Sequence, residues 1–122
     1  MTEPVLHRRA SQVPVVAEPS NDLELRVLLA AEESAAALSI TSVRIDGHHR
    51  RLRTEAGTRI YLVQAGSGVI TVASQAIEVA AGDLVVIPRG TPYHLDGSME
   101  YLVINQPGFR AGDDQYLEEP AS

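Results

Sequence analysis

The chain has 122 residues, 44% of them hydrophobic and 21% charged, with a formal net charge of −6, which suits one domain built round a single core. The acidic balance argues against a partnership with nucleic acid, and the lack of any cysteine removes disulfides, zinc-thiolate sites and thiol nucleophiles. No run is apolar enough to span a membrane and the first residues have no secretory core, so a cytoplasmic protein without a membrane partner is expected.

Prolines at 4, 14 and 19 make residues 1–20 an extended arm, with a strand piece at Val13–Val16. Leu23–Leu29 (LELRVLL) alternates and predicts a strand, and AAEESAA after it predicts a loop. In ALSITSVRID the alternation returns: Thr41, Val43 and Ile45 on one face, Ser42, Arg44 and Asp46 on the other. Arg59–Val72 predicts two strands about a turn at Ala65–Gly68. QAIEVAAGDLVVIP predicts two more about Ala80–Asp83, and Met99–Asn105 predicts the last. Gly, Asp and Pro punctuate the gaps. Residues 107–122 form an acidic tail, in which Asp113, Asp114, Glu118 and Glu119 are expected to face solvent. Many short strands and no long helix predict an all-β barrel or sandwich over residues 21–106.

The densest chemistry lies in GHHRRLRTEAGTR, residues 47–59. Neighbouring residues on a strand point to opposite faces, so His48 and His49 cannot easily hold one ion. Alternation groups His49 with Arg53 and Glu55 and sends His48 and Arg50 the other way. A tight turn at Ala56–Thr58 would set Arg59 opposite Glu55, with Cβ atoms ~5 Å apart. Arg59, Tyr61 and Val63 share a face, and Tyr93 follows the Pro88–Gly90 turn from a neighbouring strand. Two guanidinium groups can fork onto a carboxylate or phosphate. Glu55 beside arginine stays ionised and can accept a proton, and Tyr93 can donate one to a developing oxyanion. A metal site from His49, Glu55 and His94 would need a bulge or a register shift. His7, Arg50 and Arg51 are expected to be solvated.

The glycine and proline spacing resembles that of the cupins, the small jelly-roll barrels. Gly47 and Gly66 match the first cupin motif. In GDLVVIPRGTPYHLDG, Gly82, Pro88 and Gly90 match the second. The resemblance, over roughly Leu25–Asn105, implies a single-domain cupin jelly roll and, since small cupins are commonly dimeric, a homodimer. It also implies four metal-ligand positions, and these fall on Arg53, Glu55, Arg59 and Tyr93. Arginine keeps its proton and cannot ligate a cation, so no metal and no cofactor are expected. The expected function is metal-independent acid/base chemistry, of isomerase, cyclase, lyase or epimerase type, on a small anionic or enolisable molecule in the barrel. Glu55 would be the base, Tyr93 the acid, Arg53 and Arg59 the anion clamp, with Tyr61 and His49 lining the site. A non-catalytic ligand-binding or sensor domain and a metal-dependent cupin with atypical ligands are the alternatives.

Overall fold

A computed structural model describes residues 5–33 and 37–119. About 61% of the described residues are strand, all in one antiparallel sheet. The strands are β1 (Val16–Glu18), β2 (Leu23–Leu29), β3 (Ser39–Thr54), β4 (Thr58–Val72), β5 (Gln75–Ala80), β6 (Leu84–Ile87), β7 (Tyr93–Gln106) and β8 (Asp114–Tyr116). Among the described residues, the helical pieces are single 3-10 turns at Ala10–Gln12, Pro19–Asn21 and Ala31–Glu33, and no helix is long and apolar enough to cross a membrane. The last of these turns occupies part of the segment expected to be a loop, and residues 34–36 lie outside the described residues.

Three long strands organise the molecule. β7 lies between β3 and β4 and pairs with both along most of its length. Short strands line the free edges: β2 and β8 on successive parts of β3, β6 and β5 on successive parts of β4. The long strands bend across a row of three glycines in register, Gly47, Gly97 and Gly68. A Cβ on Gly97 would stand 2.5 Å from the backbone of Gly68, and the φ of Gly97 is 142°. Only glycine permits that approach and that conformation. The glycines of Ala65–Gly68 therefore serve a bend inside one continuous β4 and not the expected turn between two strands. For the same reason β7 begins at Tyr93, six residues before the strand that alternation predicted.

Alternate residues of the long strands point inward and form the core, including Val43, Ile45, Leu52, Val63, Ile70, Leu95 and Tyr101. Each such side chain contributes roughly 1.5–3 kcal/mol by leaving water. Strand structure also lies on both sides of residues 21–106. β1 pairs with β2 from the N-terminal side, and β8 with β3 from the C-terminal side. In the N-terminal segment strand begins at Val16, not Val13. Arg8 fastens that segment through Leu28 O at 2.6 Å and Glu33 Oε2 at 2.8 Å.

Candidate active site

Between β2, β3, β4 and β7 lies a cavity of about 170 Å³, to whose lining Phe109, Asp114 and Tyr116 also contribute. An apolar cavity of ~150 Å³ admits benzene, so this one takes a fragment of about one small ring. His49, Arg59, Tyr61, Asn105, Asp114 and Tyr116 are among its polar and aromatic lining residues.

β3 reaches the cavity with an irregularity that alternation alone does not reveal. His49 pairs with Leu95, and the next pair is Leu52 with Tyr93. Three steps on β3 match two on β7, which is a β-bulge with one extra residue. Beyond it the inward positions are Leu52 and Thr54, both buried. Arg53 and Glu55 are thereby turned to the outer face, where their side chains are 41% and 52% exposed and pair with each other at 3.2 Å. Neither lines the cavity. The expected grouping of His49 with Arg53 and Glu55 is corrected by that one extra residue.

A second correction concerns Arg59. β3 and β4 are neighbours in sequence but not in the sheet, because β7 runs between them. Arg59 stands opposite Asn105 and Ile87, not opposite Glu55. Its guanidinium is almost fully buried and fully engaged: Nε donates to Asn105 Oδ1 at 2.6 Å, Nη1 to the Tyr93 hydroxyl at 2.7 Å, and Nη2 to Asp114 Oδ1 at 2.7 Å. Burial opposes the charge, but the surrounding Tyr93 and Tyr61 oxygens and the Asp114 carboxylate hold its pKa above the ordinary arginine value. Asp114 is thus a partly buried partner of Arg59 and not part of a solvent-facing tail. With Arg53 outside and Arg59 paired, the expected two-arginine anion clamp does not assemble. The charged residues on the cavity wall are Glu18, Arg59 and Asp114, one positive against two negative.

Tyr93 is buried behind this wall and does not itself line the cavity. Its hydroxyl lies 2.7 Å from that of Tyr61. Arginine has no acceptor, so the Tyr93 proton has only the Tyr61 oxygen to bind among its hydrogen-bond partners. Tyr61 is then free to aim its own proton into the cavity. The order Arg59, Tyr93, Tyr61 is a chain of donors with a fixed cation at its head, and such chains polarise cooperatively. Burial raises the pKa of both phenols, most of all that of Tyr61, while Arg59 works against the rise. Both stay protonated.

His49 is the other reactive group on the wall. Its Nδ1 lies 2.8 Å from Arg50 O. A carbonyl only accepts, so Nδ1 carries the proton. Burial lowers the pKa of the ring, against the opposing pull of the Arg50 carbonyl, which leaves it neutral near pH 7 with its lone pair on Nε2. Among the described residues Nε2 has no hydrogen-bond partner. The ring stacks on Tyr116 at 6.3 Å between centroids and 18° between planes. Tyr116 in turn lies under the Arg50 guanidinium at 4.0 Å and accepts from Asn21 Nδ2 at 3.0 Å. Arg50, expected to be solvated, holds this stack from outside, also donating from Nε to Asn21 Oδ1.

His48 faces outward. Its ring lies 5.5 Å from that of His94 and bonds Asp96 at 2.6 Å and Glu119 at 2.9 Å. The metal positions implied by the cupin resemblance do not suit a cation: two are outside the cavity, one is a buried arginine and one is a protonated phenol bound to that arginine. Among the described residues no group of three or more His, Asp or Glu could hold a metal ion.

Asn105, Asp114 and Tyr116 are the site residues that sequence reasoning missed. Asn105 carried a signal, since it ends the alternation Met99, Tyr101, Val103 on the inner face. Tyr116 stood out only as an aromatic anchor of the tail and Asp114 carried no signal, because only the pairing of β8 with β3 brings them to the site.

Compared by sequence, the chain matches no protein-family model and no curated protein. Compared by structure, it resembles the nucleoside dehydratase Pac13, with a TM-score of 0.81, 21% identity, and 93% of this chain and 92% of that one covered. A Streptomyces Pac13 histidine-to-glutamine variant solved with uridine gives 0.82 and 20% identity, covering 94% and 92%. Ectoine synthase from P. lautus gives 0.77 at 12% identity over 97% of this chain and 94% of that one. The polyketide cyclase RemF from Streptomyces resistomycificus gives 0.68 at 21% over 93% and 89%. The matches run nearly end to end and share the rolled antiparallel sheet, and the chain accordingly carries the cupin fold, the small jelly-roll barrel.

Proposed function

We propose that this chain is an enzyme that moves protons on a small polar molecule in the barrel, in a reaction of lyase, cyclase or isomerase type that does not use a metal. The observation that carries this reading is the His49 ring, neutral, fixed through Nδ1 and open at Nε2 on the cavity wall. His49 takes the role of base that alternation gave to Glu55. Nε2 removes a proton from carbon, and the C–H electron pair becomes a new π bond or attacks within the molecule. The departing or developing oxygen takes the proton offered by Tyr61. Arg59, through Tyr93, stabilises the phenolate left on Tyr61. Tyr93 is a positioning residue in this scheme. The wall carries no net positive charge, so the molecule is neutral and hydroxylated rather than an anion. Pac13, a nucleoside dehydratase, has been solved with uridine in forms where one histidine or either of two tyrosines is replaced. That supports nucleosides as the first ligands to try.

The test has two stages. Uridine and other neutral nucleosides, with hydroxylated and carbonyl compounds of one ring, are screened by thermal shift. Each binder is then incubated with the protein in deuterated water and followed by proton NMR. The expected result is loss of one C–H signal or appearance of product with the native chain. His49→Gln should bind equally and react roughly 10²–10⁴-fold more slowly. A binder that neither exchanges nor reacts would make the chain a receptor. Equal rates in His49→Gln would remove His49 from the chemistry.

A further inference from the structure

β1 ends where its sequence stops it. Pro19 follows Glu18 and opens the turn Pro19–Asn21, which Asp22 closes at a φ of 53°, a left-handed conformation that aspartate adopts more readily than most residues. The turn buries Asn21 completely and uses its whole amide. Oδ1 accepts from N and Nε of Arg50, both at 3.0 Å. Arginine has no side-chain acceptor, so the oxygen faces Arg50 and Nδ2 faces the other way. There Nδ2 donates one hydrogen to Glu18 Oε2 and one to the Tyr116 hydroxyl, each at 3.0 Å. A buried amide with all its bonds made holds its partners rigidly.

Glu18 and Tyr116 both line the cavity, and each keeps one function unused. A carboxylate accepts at two oxygens, yet among the described residues Glu18 Oε1 has no hydrogen-bond or ion-pair partner. The Tyr116 oxygen accepts from Asn21, and its own proton has no acceptor among them. The wall thus presents an acceptor beside a donor, next to the His49 ring that stacks on Tyr116. The charge of Glu18 reaches that ring: burial lowers the pKa of His49, and Glu18 is among the groups that pull it back up. The charges of this neighbourhood balance. Arg50, bound to the same amide, offsets Glu18, and Arg59 is paired with Asp114. A balanced field selects neither a cation nor an anion, so the open carboxylate oxygen calls for a neutral O–H donor.

We propose that Glu18 sets the specificity of this site by reading a vicinal diol on the substrate: one hydroxyl donates to Glu18 Oε1 and its neighbour accepts from Tyr116. Adjacency follows from Asn21. One amide nitrogen holds both partners side by side, and hydroxyls on adjoining carbons are the pair that meets them together. A carbohydrate ring, such as the sugar of a nucleoside, suits a cavity with room for about one small ring. Diol recognition rests on the neutral, hydroxylated substrate of the proposed function but not on the chemistry at His49. A site built to bond a hydroxyl rejects the analogue that lacks it, because its own polar group is then left without a partner.

Calorimetric titration of the full chain with uridine, 2′-deoxyuridine and 3′-deoxyuridine, in His49→Gln so that nothing turns over, tests the proposal. One of the two analogues, the one lacking the hydroxyl that faces Glu18, should bind roughly 10–100-fold more weakly than uridine. Glu18→Gln, which can still accept from Asn21, should weaken uridine by a similar factor and leave that analogue almost unchanged. Tyr116→Phe should act in the same way on the other analogue. For a chain that takes no nucleoside, cis-1,2-cyclopentanediol, cyclopentanol and cyclopentylamine are compared at millimolar concentration by saturation-transfer NMR. The diol should bind best, and its advantage should disappear in Glu18→Gln. No advantage of any diol over its deoxy counterpart, an advantage that survives Glu18→Gln, or a preference for the amine overturns the proposal. A diol preference that depends on Glu18, in a native chain that converts no binder, would uphold diol recognition and sink the catalytic reading. Turnover by the native chain without a diol preference would do the reverse.

Discussion

Asp114 Oδ1 lies 2.7 Å from Nη2 of Arg59, and this pair ties the strand nearest the C-terminus to the wall of the cavity. The side chains are 6% exposed for Arg59 and 19% for Asp114. Removing one partner of a buried pair leaves the other charge uncompensated, at a loss of ~3–5 kcal/mol. Asp114→Ala is therefore expected to destabilise the fold by about 3 kcal/mol, since Asp114 keeps some contact with water. For a domain of this size that lowers the melting temperature by ~10 °C or more, measurable by calorimetry. Asp113→Ala, one residue away, loses only the bond its carboxylate accepts from Arg110 N at 2.8 Å and should cost about 1 kcal/mol or less. Equal effects of the two substitutions would remove Asp114 from the wall.

The two adjacent histidines should act on stability in opposite directions with pH. Hydrogen bonding to Glu119, and then to Asp96, raises the pKa of His48 above 6.5 despite desolvation. Its native state holds the proton more tightly, so its contribution is complete below pH 6.5 and is lost as pH rises through the raised value. Burial lowers the pKa of His49 below 6.5. Its contribution is complete above pH 6.5 and is lost as pH falls through the lowered value. Denaturant midpoints across pH should thus lose their alkaline decline in His48→Gln and part of their acid decline in His49→Gln. The same protonation of His49 should set the acid limb of kcat/KM, below pH 6.5. An acid limb unchanged in position by His49→Gln would assign it to another group.

Tyr61 and Tyr93 are joined at 2.7 Å, yet only Tyr61 lines the cavity. Tyr61→Phe should lower kcat, because the proton donor is gone. Tyr93→Phe should also lower kcat, with KM little changed, because Arg59 no longer polarises Tyr61. It should further lose about 1–3 kcal/mol of stability by leaving Arg59 Nη1 and the Tyr61 oxygen short of a partner. A Tyr93→Phe variant with full kcat but reduced stability would make Tyr93 structural only.

The spacing of Gly82, Pro88 and Gly90 led to the barrel, and alternation led to the inward face of Val43, Ile45, Arg59 and Tyr61. Such patterns survive because burial is periodic along a strand. Features set by long-range pairing left no local trace. The insertion of β7 between β3 and β4 removes the expected contact of Arg59 with Glu55. The pairing of β8 with β3 recruits Asp114 and Tyr116 from a segment whose composition reads as solvated. The bulge after His49 has no marker either, since Arg50 and Arg51 differ from their neighbours in neither glycine content nor turn chemistry.

Purified without chelator, the protein should carry far less than one equivalent of zinc, iron, manganese or nickel by elemental analysis. The reason is the donor set: of the positions expected to ligate, Arg59 keeps its proton and Tyr93 is held protonated beside it. A near-equimolar metal that is lost in His49→Ala would instead place a ligand at His49 and reopen metal-assisted chemistry.

The bulge itself can be tested without a substrate, because it decides which side chains a ligand meets. If alternation ran unbroken from His49, Arg53 and Glu55 would point into the barrel, and removing either would take a charge from the cavity. With the extra residue in place they form an exposed pair, and exposed pairs contribute ~0–1 kcal/mol. Arg53→Ala and Glu55→Gln should each leave the melting temperature within a few degrees of native and leave any thermal shift found with a nucleoside or other small molecule unchanged. Arg59→Ala should abolish that shift and destabilise strongly. Removing Arg51 would erase the extra residue and leave His49 and Leu52 two positions apart, so that His49, Leu52 and Thr54 all stay inward by plain alternation. The deletion should therefore cost far less stability than deletion of Leu52, which takes a buried side chain out of the core. Loss of the ligand-induced shift in Glu55→Gln, with full stability retained, would show that Glu55 faces the ligand after all.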